Sequence, residues 1–581
     1  MPAAPRCTRA DLAIAAALVI AVTATTLAAA TQQGVNRDEA IYMESGEQYV
    51  AWAEHALSGA LARPLSARSI DRYFDTNAEH PPLMKLLFGL SWRALHKCEC
   101  ASESRWHPAP ARLDSGRHIT LPLLSEITAF RLPTALAFGL LAGGVYLFFL
   151  AAFGGRAGAL AAALLTVLQP RAAFHAQTAA FDLPAATLWL LTTFAYFHAL
   201  GAERRNRAAL GVGVLYGLFL ATKLQSFFLP FALGAHWLFL AVRAHRAGSP
   251  RPTLRPLVAM ATVSPLVLIA LWPHLWHDGI TRFGRYLAFH WQHVHYNFEY
   301  LGINYNNPPF PWHEPLGMLV TTAPVVLLAL AAAGALAAAG TLAAAGTLAA
   351  GARRSSAPAP TTDRAPLLLL LSSALVPIAP FFTGSTPIFG ETKHWLATMP
   401  FLAIAAGLGF EAITRRIADE WSLAPRARAA VTAALLLVTA LPAAAEVVRS
   451  HPYGLSHYNA LAGGAPGGAD LGMNRQFWGY SVRGLLDEWN RTLPKGTRIY
   501  PHDWNHPSYL LYLRDGLLRS DLVETGLEMP AISRSDVAVV IHELHFNKYE
   551  YMIWNAYGHA RPDRVLSLDG VPLVTVYRRK P

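Results

Sequence analysis

The sequence predicts a polytopic α-helical membrane protein with about eleven transmembrane helices and a small C-terminal α/β domain. Hydrophobic residues make up 53% of the 581 residues, and charged residues only 15%. This is more apolar surface than one soluble core can bury. The apolar residues form blocks of roughly 16 to 25 residues, and about 20 helical residues are needed to cross the hydrocarbon layer of a membrane. A bilayer is therefore the expected environment of the chain.

Eleven apolar blocks are candidate spans: 11–31, 127–153, 157–173, 183–200, 208–222, 225–242, 256–275, 315–351, 366–384, 395–413 and 427–446. The first block resembles a secretory signal, but it is long for one, and we expect it to remain as an anchor. Alternate linkers carry the arginines, namely Arg156, Arg204, Arg205, Arg207, Arg243, Arg246, Arg251, Arg255, Arg353, Arg354, Arg415 and Arg416. The positive-inside rule places these linkers and the N-terminus in the cytoplasm. An odd number of crossings then places the C-terminal segment outside.

Two regions are expected to lie outside the bilayer. The first is the polar loop 32–126, within a transmembrane domain at 1–449. Its apolar segment Pro82 to Leu95 is short and carries Lys85, and a crossing there would reverse every later arginine cluster. We therefore predict a helix that lies along the outer interface.

The second region is a soluble domain at 450–581, where the composition becomes less apolar. Its predicted strands are Arg498–Tyr500, Val537–Ile541 and Pro572–Tyr577, and its predicted helices are Ser481–Arg491 and Pro507–Arg514. The glycine pairs Gly463-Gly464 and Gly467-Gly468 suggest either a loop over a site or a flexible connector, and we expect the connector.

Composition also excludes several classes of protein. The formal net charge of +11 comes largely from linker arginines, which orient a membrane protein, so nucleic acid is not an expected partner. Cys7, Cys98 and Cys100 are too few for a disulfide framework. The sequence has no Walker loop or dinucleotide fingerprint, which argues against a nucleotide-driven pump.

Two polar motifs in the loop 32–126 could carry chemistry. Asp38-Glu39 follows the first span directly, where a carboxylate could act as a general base on a membrane-borne substrate. The alternative is that this pair only caps a helix. Farther along, His80 and Lys85 flank a stiff Pro81-Pro82 entry into the interfacial helix. A lysine there could hold a phosphate, or it could extend toward anionic lipid headgroups.

The acidic pair followed by His80-Pro-Pro-Leu-Met-Lys85 resembles the protein O-mannosyltransferases and bacterial glycosyltransferase family 39, which are relatives of the aminoarabinose transferases. These are transferases of the GT-C fold that take a sugar from a polyprenyl-phosphate carrier on the outer face of the membrane. Looser similarity continues at Thr178–Asp182, Thr222-Lys223, Pro308–Trp312 and Glu391–Trp395, so that it covers about residues 10 to 450.

The resemblance implies roles for several residues. Asp38 would be the catalytic base that deprotonates the acceptor, and Glu39 would help to place the acceptor. Lys85 would hold the carrier phosphate together with His80 and Lys223. Arg131 matches a family arginine whose role is structural or directed at the phosphate. A single displacement by this route inverts the anomeric configuration.

Further candidates are Asp182, Glu391 and His394, which lie at the ends of predicted spans. Topology inferred from arginine alone places these three residues at the outer face, on the same side as Asp38 and Lys85. Charged groups at membrane depth are costly, which favours a function for them, although charges at helix ends also satisfy local backbone groups.

The resemblance implies no cofactor beyond the lipid-linked sugar, and no metal. His290, His293 and His295, with His274 and His277 upstream, form a rival metal motif, but the surrounding aromatic residues are typical of an interfacial belt. Together with the predicted topology, the resemblance implies a hexosyl- or pentosyltransferase in the inner membrane, with its active site and C-terminal domain on the periplasmic side. A lipid or polysaccharide transporter is the main alternative, and a non-catalytic scaffold is a third. Neither the sugar nor the acceptor, whether protein, lipid or glycan, follows from the sequence.

Overall fold

The computed structural model describes residues 7–96, 121, 123–201, 205–352, 364–388, 390–544 and 548–580, with residues 341–352 described only in their backbone. Predictions that involve Cys98, Cys100, Arg204, Arg353 and Arg354 lie outside the described residues.

The membrane part is a bundle of helices. Its first half contains α1 (Arg9–Ala30), α2 (Arg37–Leu57), α3 (Ala67–Phe74), α4 (Leu83–Leu95), α5 (Glu126–Phe153), α6 (Arg156–Val167), α7 (Pro170–Ala176), α8 (Asp182–Gly201), α9 (Arg205–Leu220), α10 (Leu229–Arg246) and α11 (Arg255–Leu271). Its second half contains α12 (Gly279–Trp291), the hairpin β1 (Phe298–Tyr300) and β2 (Ile303–Tyr305), α13 (Glu314–Thr322), α14 (Val325–Ala352), α15 (Ala365–Leu375), α16 (Met399–Glu420) and α17 (Pro425–Ser450).

Every predicted span contains a helix, and the protein is a multi-pass membrane protein. Within the described ranges, six helices are long and apolar enough to cross a bilayer, and the number is eight if each bent pair forms one span. The bent pairs are α6 with α7, at 69°, and α13 with α14, at 115°. Helices α9, α11 and α15 are shorter. The polytopic helical class is therefore confirmed, while the count of eleven crossings stays a prediction.

Helices α1 and α5 illustrate how the bundle packs. They run antiparallel, as a contact at each end shows. Arg156, just beyond the end of α5, pairs with Asp11 near the start of α1 at 2.7 Å. Arg131, near the start of α5, donates to the Ala30 carbonyl at the end of α1. A Cβ on Gly139 would lie 2.5 Å from the Val19 carbonyl oxygen. Small residues thus permit the close approach that drives helix association in membranes.

The predicted interfacial helix exists as α4, and it packs against α2 and α5. At its crossing with α2, a Cβ on Gly89 would lie only 2.2 Å from the Gly46 carbonyl oxygen, so the two backbones touch. Leu87 and Leu90 on another face of α4 are exposed. This apolar exposed face fits contact with lipid, and the angle of α4 to the bilayer stays a prediction.

The C-terminal segment forms a mixed α/β domain. It contains α18 (Gly464–Asp470), α19 (Arg483–Thr492), β3 (Arg498–Pro501), α20 (His506–Arg514), β4 (Val523–Glu524), α21 (Met529–Arg534), β5 (Val537–Ile541), α22 (Lys548–Tyr557), β6 (Arg564–Leu568) and β7 (Val571–Arg578). The strand order is β4-β3-β5-β7-β6, parallel among the first three strands and antiparallel at the last two. All three predicted strands and both predicted helices are confirmed. The short or half-exposed strands β4 and β6 were missed, because they carry no continuous apolar run.

The C-terminal domain and the loop after α1 share one hydrophobic core. Val35, Met43 and Phe88 pack in the same buried cluster as Trp504 and Val539. The two parts are also joined by polar contacts, since the Val35 N–H donates to the Tyr512 hydroxyl at 2.7 Å. The domain is therefore held firmly against the start of α2.

The expectation of a flexible glycine connector is wrong. A Cβ on Gly467 would lie 1.9 Å from the Ala462 carbonyl oxygen, and one on Gly468 would lie 2.4 Å from the Tyr458 ring. These glycines permit close packing of an ordered helix, α18, against its neighbours.

Candidate active site

Five of the predicted site residues line one cavity of about 1700 Å³: Asp38, His80, Asp182, Lys223 and His394. They come from separate places in the chain: the first turn of α2, the segment before α4, the start of α8, the connection between α9 and α10, and the segment before α16. In a bundle of antiparallel helices, every second connection lies on the same side. Residues from separate connections can therefore meet, as these five do.

Asp38 presents a carboxylate to the cavity from the first turn of α2. The helix begins with a capping box, in which Asn36 accepts from the Glu39 N–H at 2.8 Å and Glu39 accepts from the Asn36 N–H at 3.3 Å. The Asp38 side chain is 37% exposed. Its Oδ2 accepts from the Trp478 indole N–H at 2.8 Å and lies 3.9 Å from Lys393 Nζ. Asp38 thus has the accessibility that a general base requires.

Glu39 does not line the cavity. Its carboxylate is buried and accepts from Arg131 Nε at 2.7 Å, Arg131 Nη2 at 2.9 Å and the Ala179 N–H at 2.6 Å. Arg131 also donates to the carbonyls of Ala30, Gln33 and Gly34 at 2.7–2.9 Å. These contacts favour the structural role for Arg131 over the role directed at the phosphate. They also show that Glu39 helps to fix the start of α2.

Lys85 is fully buried and does not line the cavity either. Its Nζ donates to the Asn77 carbonyl at 2.7 Å and lies 5.5 Å from the centre of the Tyr49 ring. Burial lowers the pKa of Lys85 to about 7. Asn77 itself does line the cavity, in a left-handed conformation with φ 56°. In this geometry Lys85 supports the cavity wall from behind, and its contact with a carrier phosphate stays a prediction.

His80 lies among aromatic rings at the cavity. Its ring centre is 5.7 Å from that of Tyr42, 5.3 Å from that of Phe181 and 5.7 Å from that of His290. Burial lowers the pKa of His80 well below its usual range, which favours the neutral imidazole. A neutral ring suits packing and hydrogen bonding better than the binding of a phosphate by charge.

Three lysines line the cavity, of which Lys223 and Lys393 belong to the membrane part and Lys548 to the C-terminal domain. Lys223 forms an ion pair with Asp182. Lys393 lies 4.4 Å from the centre of the Trp478 ring and 5.5 Å from that of Phe477. Lys393 was missed as a candidate, although it stands between Glu391 and His394 in the predicted motif.

Glu391, by contrast, lies away from the cavity. It is buried against the Arg171 guanidinium, which in turn lies 5.1 Å from the centre of the Tyr458 ring. His394 lines the cavity, and its carbonyl accepts from the Gln225 side chain. The motif thus divides between a buried ion pair and residues that face the cavity.

The C-terminal domain contributes polar lining that sequence reasoning missed. Arg37, beside Asp38, donates to Asp503 at 2.7 Å and to Glu543 at 3.1 Å. Burial raises the pKa of Glu543 to about 7, while Arg37 opposes this change. Asp503 follows β3 and Glu543 follows β5, two parallel neighbours whose carboxyl ends lie together. In the sequence, the signal for these two residues is an acidic side chain shortly after each of two predicted strands.

Other parts of the lining are strongly apolar. Leu224, Phe227, Phe228, Leu287, Phe289 and Phe381 line the cavity. The cavity therefore has both charged and apolar surfaces, which fits a molecule with an anionic head and a hydrocarbon tail.

The rival metal motif does not form a ligand set. Among the described residues, no group of three or more His, Cys, Asp or Glu side chains is arranged to hold an ion. His290 Nε2 bonds to the Glu79 carbonyl at 3.0 Å, His293 Nδ1 to the Val294 carbonyl at 2.7 Å, and the His295 ring packs on Phe310. The three imidazoles are thus engaged with different neighbours.

Comparison with known proteins supports the resemblance found in the motifs. A family model described as dolichyl-phosphate-mannose-protein mannosyltransferase matches residues 121–269, which confirms the resemblance to the GT-C transferases for that segment. No curated protein matches the sequence.

Solved structures of other proteins are also similar to this chain, and three of them are the following. ArnT from Cupriavidus metallidurans, bound to undecaprenyl phosphate, is 14% identical over 97% of each chain, with a TM-score of 0.45. The oligosaccharyltransferase of Archaeoglobus fulgidus is 11% identical over 93% of this chain and 72% of its own, with a TM-score of 0.48. Arabinofuranosyltransferase AftD from Mycobacteria is 13% identical over 97% of this chain and 40% of its own, with a TM-score of 0.41.

Proposed function

We propose that the protein is a membrane glycosyltransferase that moves a sugar from a polyprenyl-phosphate carrier to an acceptor hydroxyl. The observation that carries this proposal is Asp38, an accessible carboxylate in a cavity that offers both lysine charge and apolar surface. The family model over residues 121–269 supports the same class of reaction. The donor is the lipid-linked sugar itself, and no other cofactor enters the proposal.

The reaction is a single displacement. Asp38 takes the proton from the acceptor hydroxyl as its oxygen forms a bond to the anomeric carbon. The bond from that carbon to the phosphate oxygen breaks, and the polyprenyl phosphate leaves with the electron pair. Attack from the face opposite to the leaving group inverts the anomeric configuration.

Four cations line the cavity, but Arg37 is paired with Asp503 and Glu543, and Lys548 belongs to the C-terminal domain. We therefore assign the carrier phosphate to Lys223 and Lys393, in place of Lys85. Positive charge aimed at the developing charge of the leaving group stabilises the transition state. The apolar lining around Phe227 and Phe381 would receive the first part of the polyprenyl chain. Asp182, paired with Lys223, would hold that lysine in place and limit its net charge.

Asp38→Asn tests the proposal. The variant should lose transfer by about 10²- to 10⁴-fold, because an amide cannot accept the proton. It should still bind undecaprenyl phosphate, because the lysines and the apolar lining are unchanged. Surface glycans of a deletion strain complemented with each variant can be compared by mass spectrometry, and binding can be measured on purified full-length protein.

Asp75→Asn is the matched control, because Asp75 lies in the same loop with a side chain that is 70% exposed. Full transfer by Asp38→Asn would overturn the proposal. If lipid movement across vesicles depended on the protein while glycans did not, the transporter alternative would replace it.

We also place the cavity on the periplasmic side of the inner membrane. In a chain freed of natural cysteines, Ser249→Cys in the arginine-rich linker after α10 should be labelled from the cytoplasm and Asp470→Cys from outside. Both positions are exposed. Labelling of both from one side would contradict the topology.

A further inference from the structure

We propose that Trp478 of the C-terminal domain is a positioning residue for transfer, and that it orients Asp38 and Lys393 together. This inference rests on the proposed function, and it extends the active site from the membrane part into the C-terminal domain. The single indole contacts both groups, with its N–H 2.8 Å from Asp38 Oδ2 and its ring centre 4.4 Å from Lys393 Nζ.

The backbone holds Trp478 in an unusual conformation. Its φ is 81°, in the left-handed region that side-chain-bearing residues rarely adopt, and such strain persists only where the surroundings impose it. The Trp478 carbonyl accepts from the Arg37 N–H at 3.0 Å. The next residue, Gly479, also has a positive φ, and a Cβ there would lie 2.0 Å from the Asp503 carbonyl oxygen.

The side chain is equally confined. Trp478 is 4% exposed, and its ring packs against those of His175, at 5.5 Å, and Phe477, at 4.8 Å. The indole therefore has little freedom to turn away from Asp38. A hydrogen-bond donor that is fixed before the reaction loses no further freedom when the substrate arrives.

Two chemical consequences follow from this contact. The indole N–H donates a charge-assisted hydrogen bond to Oδ2 of Asp38, which fixes the rotation of the carboxylate in the cavity. The face of the indole ring attracts the Lys393 ammonium, which keeps that charge in the part of the cavity beside Asp38. One side chain thus sets the distance between the base and a cation for the leaving group.

The inference also explains why the C-terminal domain is docked on α2. Arg37, adjacent to Asp38, binds the Trp478 carbonyl through its N–H and reaches Asp503 and Glu543 through its guanidinium. Correct seating of the domain therefore decides whether Asp38 is aligned.

Two substitutions in the full-length protein separate the contacts. Trp478→Phe removes the N–H and keeps an aromatic face, so kcat should fall about 10- to 100-fold with little change in KM for the lipid-linked donor. Trp478→Leu removes both contacts, and it should in addition weaken the binding of undecaprenyl phosphate by about 2- to 30-fold. Trp489→Phe is the matched control, since Trp489 is a buried tryptophan of the same domain outside the cavity lining.

A tryptophan that merely stabilised the domain would lower kcat and lipid binding together in both Trp478 variants. That result, or transfer by Trp478→Phe at the level of Trp489→Phe, would overturn the inference. Failure of the proposed function is distinguishable, because Asp38→Asn would then transfer normally. If Asp38→Asn is inactive while Trp478→Phe is active, only the present inference fails.

A spectroscopic measurement does not depend on replacing Trp478. In protein labelled with 5-fluorotryptophan, one of the fifteen tryptophan signals should shift in both Asp38→Asn and Lys393→Met, and it should not shift in Asp75→Asn. If no signal responds to both substitutions, the indole does not link the two groups and the inference is wrong.

Discussion

Replacing Lys85 by methionine should stabilise the protein near neutral pH. Methionine has a similar length and no charge, so it can fill the site of a side chain that is fully buried. Burial lowers the pKa of Lys85 from 10.5 to about 7. Because one pKa unit corresponds to about 1.4 kcal/mol, the charged form is disfavoured by about 5 kcal/mol in the folded state.

The sign of the pH dependence follows from proton binding. Between pH 7 and 10.5 the unfolded chain binds a proton at Lys85 that the folded chain does not bind, so the free energy of unfolding rises with pH. Below pH 7 both states are protonated, and the whole penalty applies. Methionine has no such penalty, but it leaves the Asn77 carbonyl without its donor, which costs about 1–3 kcal/mol. At pH 7 we expect the free energy of unfolding of Lys85→Met to exceed that of the wild type by about 2 kcal/mol. At pH 9 this difference should be smaller by about 2 kcal/mol.

Guanidinium unfolding in detergent, followed by tryptophan fluorescence at pH 7 and pH 9, measures this difference between wild type and Lys85→Met. Lys495→Met, at an exposed lysine, should show no pH-dependent difference. Binding of undecaprenyl phosphate at pH 7 should be unchanged in Lys85→Met. A stability difference that does not vary with pH would refute the reasoning from burial. Loss of lipid binding would restore Lys85 as a phosphate ligand, as the motif predicted.

Two further predictions concern the loop that carries Asp38. Glu39→Ala should lower the free energy of unfolding by about 3–5 kcal/mol, because it leaves the buried Arg131 guanidinium without its carboxylate; a cost below about 1 kcal/mol with a raised acceptor KM would instead favour acceptor placement. Gly89→Ala should cost about 1–3 kcal/mol, since its Cβ would lie 2.2 Å from the Gly46 carbonyl oxygen. Gly211→Ala in α9, where no atom lies within 4 Å of the added Cβ, should be neutral or slightly stabilising in the same unfolding assay, and equal losses for the two variants would contradict the packing argument.

Part of the candidate site followed from the sequence. Asp38, Asp182, Lys223 and His394 belong to motifs that resemble the transferase family, and the topology inferred from the arginine-bearing linkers predicts that all four lie on one side of the membrane. The number of crossings between two positions decides whether they share a side of the membrane, and the hydropathy pattern predicts that number. The structure places all four residues in one cavity.

Which lysine faces the cavity could not be decided in the same way. Lys85 belongs to the more specific motif, yet it is buried, whereas Lys393 lies beside Asp38. One helical turn places neighbouring residues on opposite faces, and the sequence does not say which face of a short amphipathic helix is covered by other elements. The contact of Lys85 with Asn77 depends on a left-handed turn that the sequence pattern does not predict.

By itself, then, the sequence determined the elements that local hydrophobicity and charge control: the apolar helices of the membrane part, the helix α4 and the main strands of the C-terminal domain. Only the tertiary structure decided what surrounds Asp38, because Trp478 is 440 residues away in the chain and Asp503 comes from a different domain. Such contacts depend on how two folded parts dock against each other. The hydrophobic periodicity and the motif spacing within either part do not predict how the two parts dock.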